Sequence, residues 1–300
     1  MEIRRRTALT LGAALASGVF LPASADAASR RPLDLRLPAD NLRAWMKLHT
    51  GLDEGDLYYW YRCRQDLAAP GERIMPFVGY DTLYRFQVRP QTDGTYLVTR
   101  WETCIYTDPA NDSVLDEVTN PLSGARVRPF HFKEGPVVFR YSTKRPEIVG
   151  SPVVARSDAP YVLPWVTLGD DVWVTNEAYF AFPHPLKPSA FPKSSSGEVL
   201  TFSNISTLRG SLAELEDERV RSAACRLSYN ATAGWSPWME MGQRPGFVVW
   251  RGQGAKLTDV GLLPKATREA FERIHPEIFI AEPWKGHRLM FDEYRKARSA

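Results

Sequence analysis

The residues with most chemistry to offer are charges set inside stretches that alternate as strands do. Arg62 and Arg64 share a face with Trp60 in Leu57-Tyr-Tyr-Trp-Tyr-Arg-Cys-Arg64. Arg100 and Glu102 share a face around Trp101, Glu177 precedes the apolar run Ala178 to Phe182, and His131 lies between Phe130 and Phe132. A charge inside a sheet must be paired or hydrogen-bonded, because removing it from water alone is costly. That requirement predicts that Arg62 and Glu102 meet across neighbouring strands in the interior. A carboxyl such as Glu102 or Glu177 in an apolar cavity titrates nearer neutrality, and a histidine such as His131 does so unaided. These three are therefore the candidate proton-transfer groups, with Arg62 or Arg244 holding a carboxylate, phenolate or enolate on the substrate. Trp60, Trp101, Trp235 and Trp238 would supply flat apolar walls for an aromatic or polycyclic compound.

The densest such stretch is Trp235-Ser-Pro-Trp-Met-Glu-Met-Gly-Gln-Arg-Pro-Gly246. Its two prolines and two glycines exclude a regular helix, and its apolar content excludes a free loop. A bent segment pinned by its tryptophans and methionines is expected. Met239 and its neighbours suit an irregular cavity, with Glu240 and Arg244 at the mouth. The plain alternative is a core plug in which Arg244 neutralises Glu240.

The elements that must position these groups are mostly short strands. A helix is predicted over Pro38–His49, with Asp40 as its cap. Period-two stretches follow at Leu57–Arg64, Leu83–Val88, Thr95–Thr107, Val114–Val118, Arg126–Phe132, Pro136–Tyr141, Val172–Phe182, Glu198–Leu208, Ala224–Ala233 and Phe247–Arg251. A short helix is expected over Ser211–Arg221, and two more finish the chain, at Pro264–His275 and Gly286–Arg298. No βαβ alternation or internal repeat occurs. This inventory predicts a mainly β fold: an antiparallel β-barrel, lipocalin-like or a two-layer curled sheet, with short N-terminal and C-terminal helices. Polar Thr201, Ser203 and Asn204 on both faces of one strand fit a water-accessible cavity or an edge strand.

Residues 1–27 read as an export signal of the twin-arginine type: Arg4-Arg5-Arg6, a short apolar run from Leu11 to Leu21, then small residues at Ala23 to Ala27. The run is too short to span a bilayer, so no transmembrane segment is expected after its removal, and the destination is periplasmic or secreted. Residues 28–37 read as a linker and 38–300 as one domain. One unit of the formal charge of +3 belongs to the signal, where three arginines face Glu2 and Asp26. With no Lys/Arg run after Arg30-Arg31, nucleic acid is not an expected partner. Cys63, Cys104 and Cys225 form no Cys-x-x-Cys pair; a Cys63–Cys104 bridge suits an oxidising compartment, but an odd, sparse count favours buried free thiols.

Two stretches carry a resemblance. The turn Asn120-Pro-Leu-Ser-Gly124 and the Trp235–Gly246 segment, with the aromatic-rich early strand, resemble the domain-of-unknown-function 1838 family over most of the chain after the signal. The resemblance implies exported bacterial proteins and carries over no catalytic residue.

Absent motifs narrow the chemistry. No Gly-x-Gly-x-x-Gly, phosphate-binding Gly-x-x-x-x-Gly-Lys-Ser/Thr or Gly-x-Ser-x-Gly is present, so no nucleotide cofactor and no α/β-hydrolase is expected. The five histidines show no i,i+2 or i,i+4 pairing, and Asp108, Asn111, Asp112 and Asp116 lack calcium-loop spacing, so no metal is signalled. The residues thus point to an enzyme working without a cofactor, of isomerase, lyase or hydrolase type, on a hydrophobic small molecule. A carrier holding such a ligand unchanged, or a structural protein with a filled centre, are the competing expectations.

Overall fold

The computed structural model describes residues 31–150 and 158–299. The export signal read at residues 1–27 therefore lies outside the described residues. In chain order come α1 (Pro38–His49), β1 (Gly55–Ala68), β2 (Met75–Pro90), β3 (Tyr96–Thr107), β4 (Val118–Thr119), β5 (Arg126–Val127), β6 (Phe132–Tyr141) and β7 (Glu147–Ile148). The second half has β8 (Trp165–Leu168), β9 (Asp171–Pro183), β10 (Val199–Ser211), α2 (Leu212–Glu216), β11 (Arg226–Ala233), β12 (Phe247–Leu257), α3 (Lys265–Ile274) and α4 (Met290–Ser299).

Ten strands form one antiparallel sheet in the order β7-β6-β3-β2-β1-β12-β11-β10-β9-β8, curled into a half-barrel; β4 and β5 make a separate ribbon. The first half of the chain steps outward from β1 to the β7 edge. The second half starts at the opposite edge and steps inward, until β12 pairs with β1. The fold is mainly β as expected, but β7 and β8 are edges that do not pair with each other. Side-chain and loop contacts bridge this seam. Tyr161 N donates to Thr143 O at 2.9 Å. Asn41 of α1 accepts from Leu163 N at 2.9 Å and from Trp165 Nε1 at 2.8 Å, and donates to Tyr161 O at 3.1 Å.

The backbones of β1 and β12 approach closely at Gly254. A Cβ at Gly254 would stand 2.3 Å from Trp60 O and 2.4 Å from Tyr61 Cβ, so only glycine admits this close approach. The concave face is covered by α1, the convex face of β1–β3 by α3 and the turn Pro276–Phe279. Two apolar clusters result: the main core on the concave side, and a smaller one with Leu83, Trp101, Ile105, Phe271 and Ile278. Because β2 is covered on both faces, it is buried at nearly every position from Phe77 to Val88.

Several local expectations are corrected. Asp40 does not cap α1: Leu37 holds the cap position, Pro38 opens the first turn, and Asp40 instead accepts from Arg31 Nη2 at 2.7 Å. The stretch Ser211–Arg221 is helical only over Leu212–Glu216, where Ser211 caps the helix by accepting from Glu214 N. Residues 114–117 form no extended strand, giving one bridge at Val114 and the start of β4 only at Val118. Residues 31–37 lie against the domain, with Arg31 N donating to Glu216 O at 2.9 Å. The thiols, by contrast, are as the odd, sparse count favours: Cys63, Cys104 and Cys225 are free and buried, and β2 separates the first two.

Candidate functional site

The concave face holds a cavity of about 190 Å³. Strand alternation aims Tyr59 and Tyr61 of β1, Tyr84 and Phe86 of β2 and Arg100 of β3 to this side, matched in register as Tyr59↔Tyr84↔Glu102. From above, α1 adds Trp45 and His49, four residues apart on one helical face, with rings stacked at 4.6 Å and 8°. The opposite wall is polar, from Asn176 of β9 with Asn204 and Ser206 of β10.

The hydroxyls of Tyr61 and Tyr84 lie 3.2 Å apart, and Tyr61 packs on Tyr229 with ring centroids 4.9 Å apart. Burial lifts both Tyr61 and Tyr84 above the usual phenol range, which keeps them as neutral donors. Behind Tyr84 sits Glu102, 8% exposed. Burial pushes its carboxyl up to about 7, Arg100 opposes the shift, Glu134 adds to it, and a hydrogen bond from Tyr84 favours the charged form. Glu134 faces Glu102 across β3 and β6; it is raised by burial, opposed by a hydrogen bond from Met290 N at 2.9 Å.

Arg100 lies between the rings of Tyr84 and Phe139, 5.3 and 5.4 Å from their centroids. Its Nη2 is 3.9 Å from Glu102 Oε2, and its buried Nε has no hydrogen-bond partner. Nδ1 of His49 is likewise buried without a partner. Burial, then the nearby charges of Lys256 and Arg100, hold His49 down to about 3, so its imidazole is neutral at any ordinary pH. Lys256 fixes the end of α1 by donating to the carbonyls of Lys47, Leu48 and Thr50 at 2.8, 2.9 and 3.0 Å.

A second cavity of about 220 Å³ adjoins the first, sharing Trp45, Phe139, Tyr141 and Asn176. It lies at the seam, between Ile148 of β7 and Glu177 of β9, with Arg145 on its wall.

Of the three candidate proton-transfer groups, only Glu102 stands behind the first cavity, whose lining also takes in Arg100 and Asn204. Glu177 is exposed, lines the second and accepts from Tyr179 Oη at 3.2 Å. His131 stands away from both: its Nδ1 accepts from Tyr106 N and its Nε2 meets Leu115 O, each at 3.1 Å, so both nitrogens brace backbone. The expected Arg62–Glu102 pair does not form, because the two residues project from opposite faces of the sheet. Arg62 grips Asp81 through Nε and Nη2, both at 2.9 Å, and also reaches Asp112 and Thr267. Trp60 donates to the same Asp81, and Trp101 donates to Trp284 O, both on the convex side.

The Trp235–Gly246 segment is the core plug. Its Pro237–Met239 stretch makes one 3-10 turn, which the prolines permit at a first helical position. Trp238 is 1% exposed and stacks on Phe77, Met239 is fully buried, and Trp235 donates to Arg244 O at 2.7 Å. Arg244 reaches Leu122 O, while Glu240 is paired with Arg298 at 2.8 Å and not with Arg244. None of these residues lines either cavity.

His49, Tyr61, Tyr84 and Tyr229 were not singled out from the sequence, although the spacing Trp45-x-x-x-His49 is itself a signal for two rings on one helical face. Among the described residues no group of three or more His, Cys, Asp or Glu is placed to hold a metal ion, and no helix is long and apolar enough to cross a membrane.

No curated protein matches the sequence. Among solved structures, one titled "Lipid-protein interactions in lipovitellin" is similar over 69% of this chain and 25% of its own, at 12% identity and a TM-score of 0.30, a likeness too slight to carry an argument. The chain spans about a quarter of that protein's length. The family described as "Protein of unknown function (DUF1838)" matches over residues 54–287, a span running from β1 through Trp238, the cavity strands and α3. The chain belongs to that family.

Proposed function

We propose that the chain is an exported proton-transfer enzyme of isomerase type that works with its own side chains on a small, flat, largely apolar molecule. One observation carries the reading: Glu102, with its pKa lifted to about 7, sits behind Tyr84, whose hydroxyl meets that of Tyr61 at the cavity wall. A group that titrates near the working pH is the best proton carrier, because it gives and takes with equal ease. In the forward step, Tyr84 receives the proton from a substrate carbon and passes its own hydroxyl proton to the Glu102 carboxylate. The return step reverses these transfers at a neighbouring carbon. The enolate between the two steps is held by the Tyr61 hydroxyl and by the charge of Arg100. A cavity of about 190 Å³ takes one substituted ring, as judged by the ~150 Å³ that suffices for benzene. The polycyclic ligands considered from sequence would have to extend into the second cavity.

Deuterium wash-in from D2O is the test. A panel of single-ring ketones and keto acids is incubated with the purified protein, and carbon-bound deuterium is read by mass spectrometry. At least one compound is expected to exchange, and Glu102→Gln and Tyr84→Phe are each expected to slow the exchange ~100-fold or more. Retention of a compound without wash-in would support the carrier instead. Neither retention nor exchange would sink both readings.

A further inference from the structure

Among the described residues that line the cavity, the one cation is Arg100, and it says what else the ligand must carry. Resting on the reading above for its location, we propose that this site selects a single-ring monoanion, with the ligand's carboxylate held by Arg100.

Two other buried or half-buried arginines are each held by several acceptors, although Arg85 Nε, like that of Arg100, is buried without one. Arg62 closes a two-pronged bond on Asp81 and adds Asp112 and Thr267. Arg85 is surrounded by Asp56 and the carbonyls of Ile278, Ile280 and Ala281. Arg100 has neither arrangement. Its side chain, 29% exposed, touches a carboxylate through a single 3.9 Å approach, and its Nε is buried without an acceptor. A guanidinium presents its donors as a rigid fork that fits a carboxylate edge-on, so an incoming carboxylate supplies the acceptors that the protein withholds.

The neighbours favour the same ligand. Tyr84 and Phe139 flank the guanidinium, with ring centroids 5.3 and 5.4 Å from its central carbon. Burial first, and then their mutual repulsion for Glu102, holds Glu102 and Glu134 toward their uncharged forms, so they only partly offset the arginine. Burial is the main cause of the depressed basicity of His49, and the charges of Lys256 and Arg100 add to it. Across the cavity, Asn176 and Asn204 can receive a ring substituent, such as a hydroxyl or a carbonyl.

Titration calorimetry with benzoate and benzamide on the wild-type protein tests this directly, because the two probes match in shape and differ in charge. Benzoate is expected to bind about tenfold more tightly or better. Arg100→Met is expected to abolish that preference, with Arg100→Lys restoring part of it. Equal binding of the two probes, binding of neither, or a benzoate preference that survives in Arg100→Met would overturn the inference. Should Arg100→Met fail to fold, the wild-type comparison decides alone. Failure here is distinguishable from failure of the proton-transfer reading: neutral ketones that exchange deuterium through Glu102 as fast as keto acids would keep the enzyme and remove the anion.

Discussion

Glu102 and Glu134 are direct partners across β3 and β6, and they meet because β6 carries one residue too many. Val137 pairs with Arg100 and Glu134 with Glu102, so three steps on one strand match two on the other. Gly135 absorbs the excess at φ +97°, where a Cβ would stand 2.6 Å from Arg100 O. Without that bulge, the position facing Glu102 would be a glycine.

A carboxyl with a raised pKa leaves a signature in stability. The ordinary value for Glu102 is 4.5 and its folded value is about 7, so between these the folded chain keeps a proton that the unfolded chain has lost. The contribution is fully present below the ordinary value and is lost as pH rises toward 7, at up to about 1.4 kcal/mol per pH unit. Thermal melts across this window are expected to fall more gently for Glu102→Gln than for wild type, and the variant to be the more stable of the two above neutrality.

His49 behaves in the opposite sense. Held down to about 3, it stays neutral while an unfolded histidine takes a proton near 6.5, so its contribution is lost as pH falls between these values. Its imidazole C–H resonances are expected to stay fixed in NMR spectra between about pH 5 and 8. A sigmoidal shift in that range would show a solvated ring and refute the burial argument.

Lys256 holds three carbonyls at the end of α1. Each carbonyl keeps a second donor (Ala223 N for Lys47, Tyr59 Oη for Leu48, Ser222 Oγ for Thr50), so Lys256→Met removes the ammonium without stranding them, and the expected loss in urea unfolding is about 1.5 kcal/mol. Because those carbonyls flank His49, the variant is also expected to bind benzoate more weakly. Unchanged unfolding would mean that water replaces the ammonium at little cost.

Asn120 ties the two stretches that carry the family resemblance into one unit. Its Nδ2 donates to Met239 O at 3.1 Å, while its Oδ1 accepts from Leu122 N at 3.0 Å. Asn120→Ala is expected to destabilise the fold by about 1–3 kcal/mol. Neither Asn120 nor Met239 lines a cavity, so benzoate affinity should be unchanged when measured well below the melting temperature.

Much of this architecture was legible in the residue pattern, and the limits have physical causes. The Pro38–His49 helix and the strands around Tyr59, Trp101 and Phe202 follow from spacing alone, and so does the shared face of Arg100 and Glu102. Which face was interior did not follow. β1 to β3 are covered by α1 on one side and by α3 on the other, so Trp60 and Trp101 are as apolar as the residues that alternate with them. The same double cover drew Arg62 into the wrong partnership, since Asp81, its actual acceptor, lies on a strand whose alternation is masked by burial. The tryptophan-methionine segment attracted attention as a ligand box because dense aromatics look alike whether they wall a void or fill one.

The unpaired edges of the sheet bear on traffic. The β7 and β8 edges are not paired with each other, and among the described residues the contacts across the gap include Tyr161 N with Thr143 O, the Lys144–Pro160 bridge and the Lys144–Asp158 ion pair. On the proposed function, a ligand would enter by parting side chains at this slit while the described strands keep their pairings. On that reading, the rate of exchange would be set at the slit and the strength of the fold by the ladder of the sheet, two quantities that a mutation could change separately.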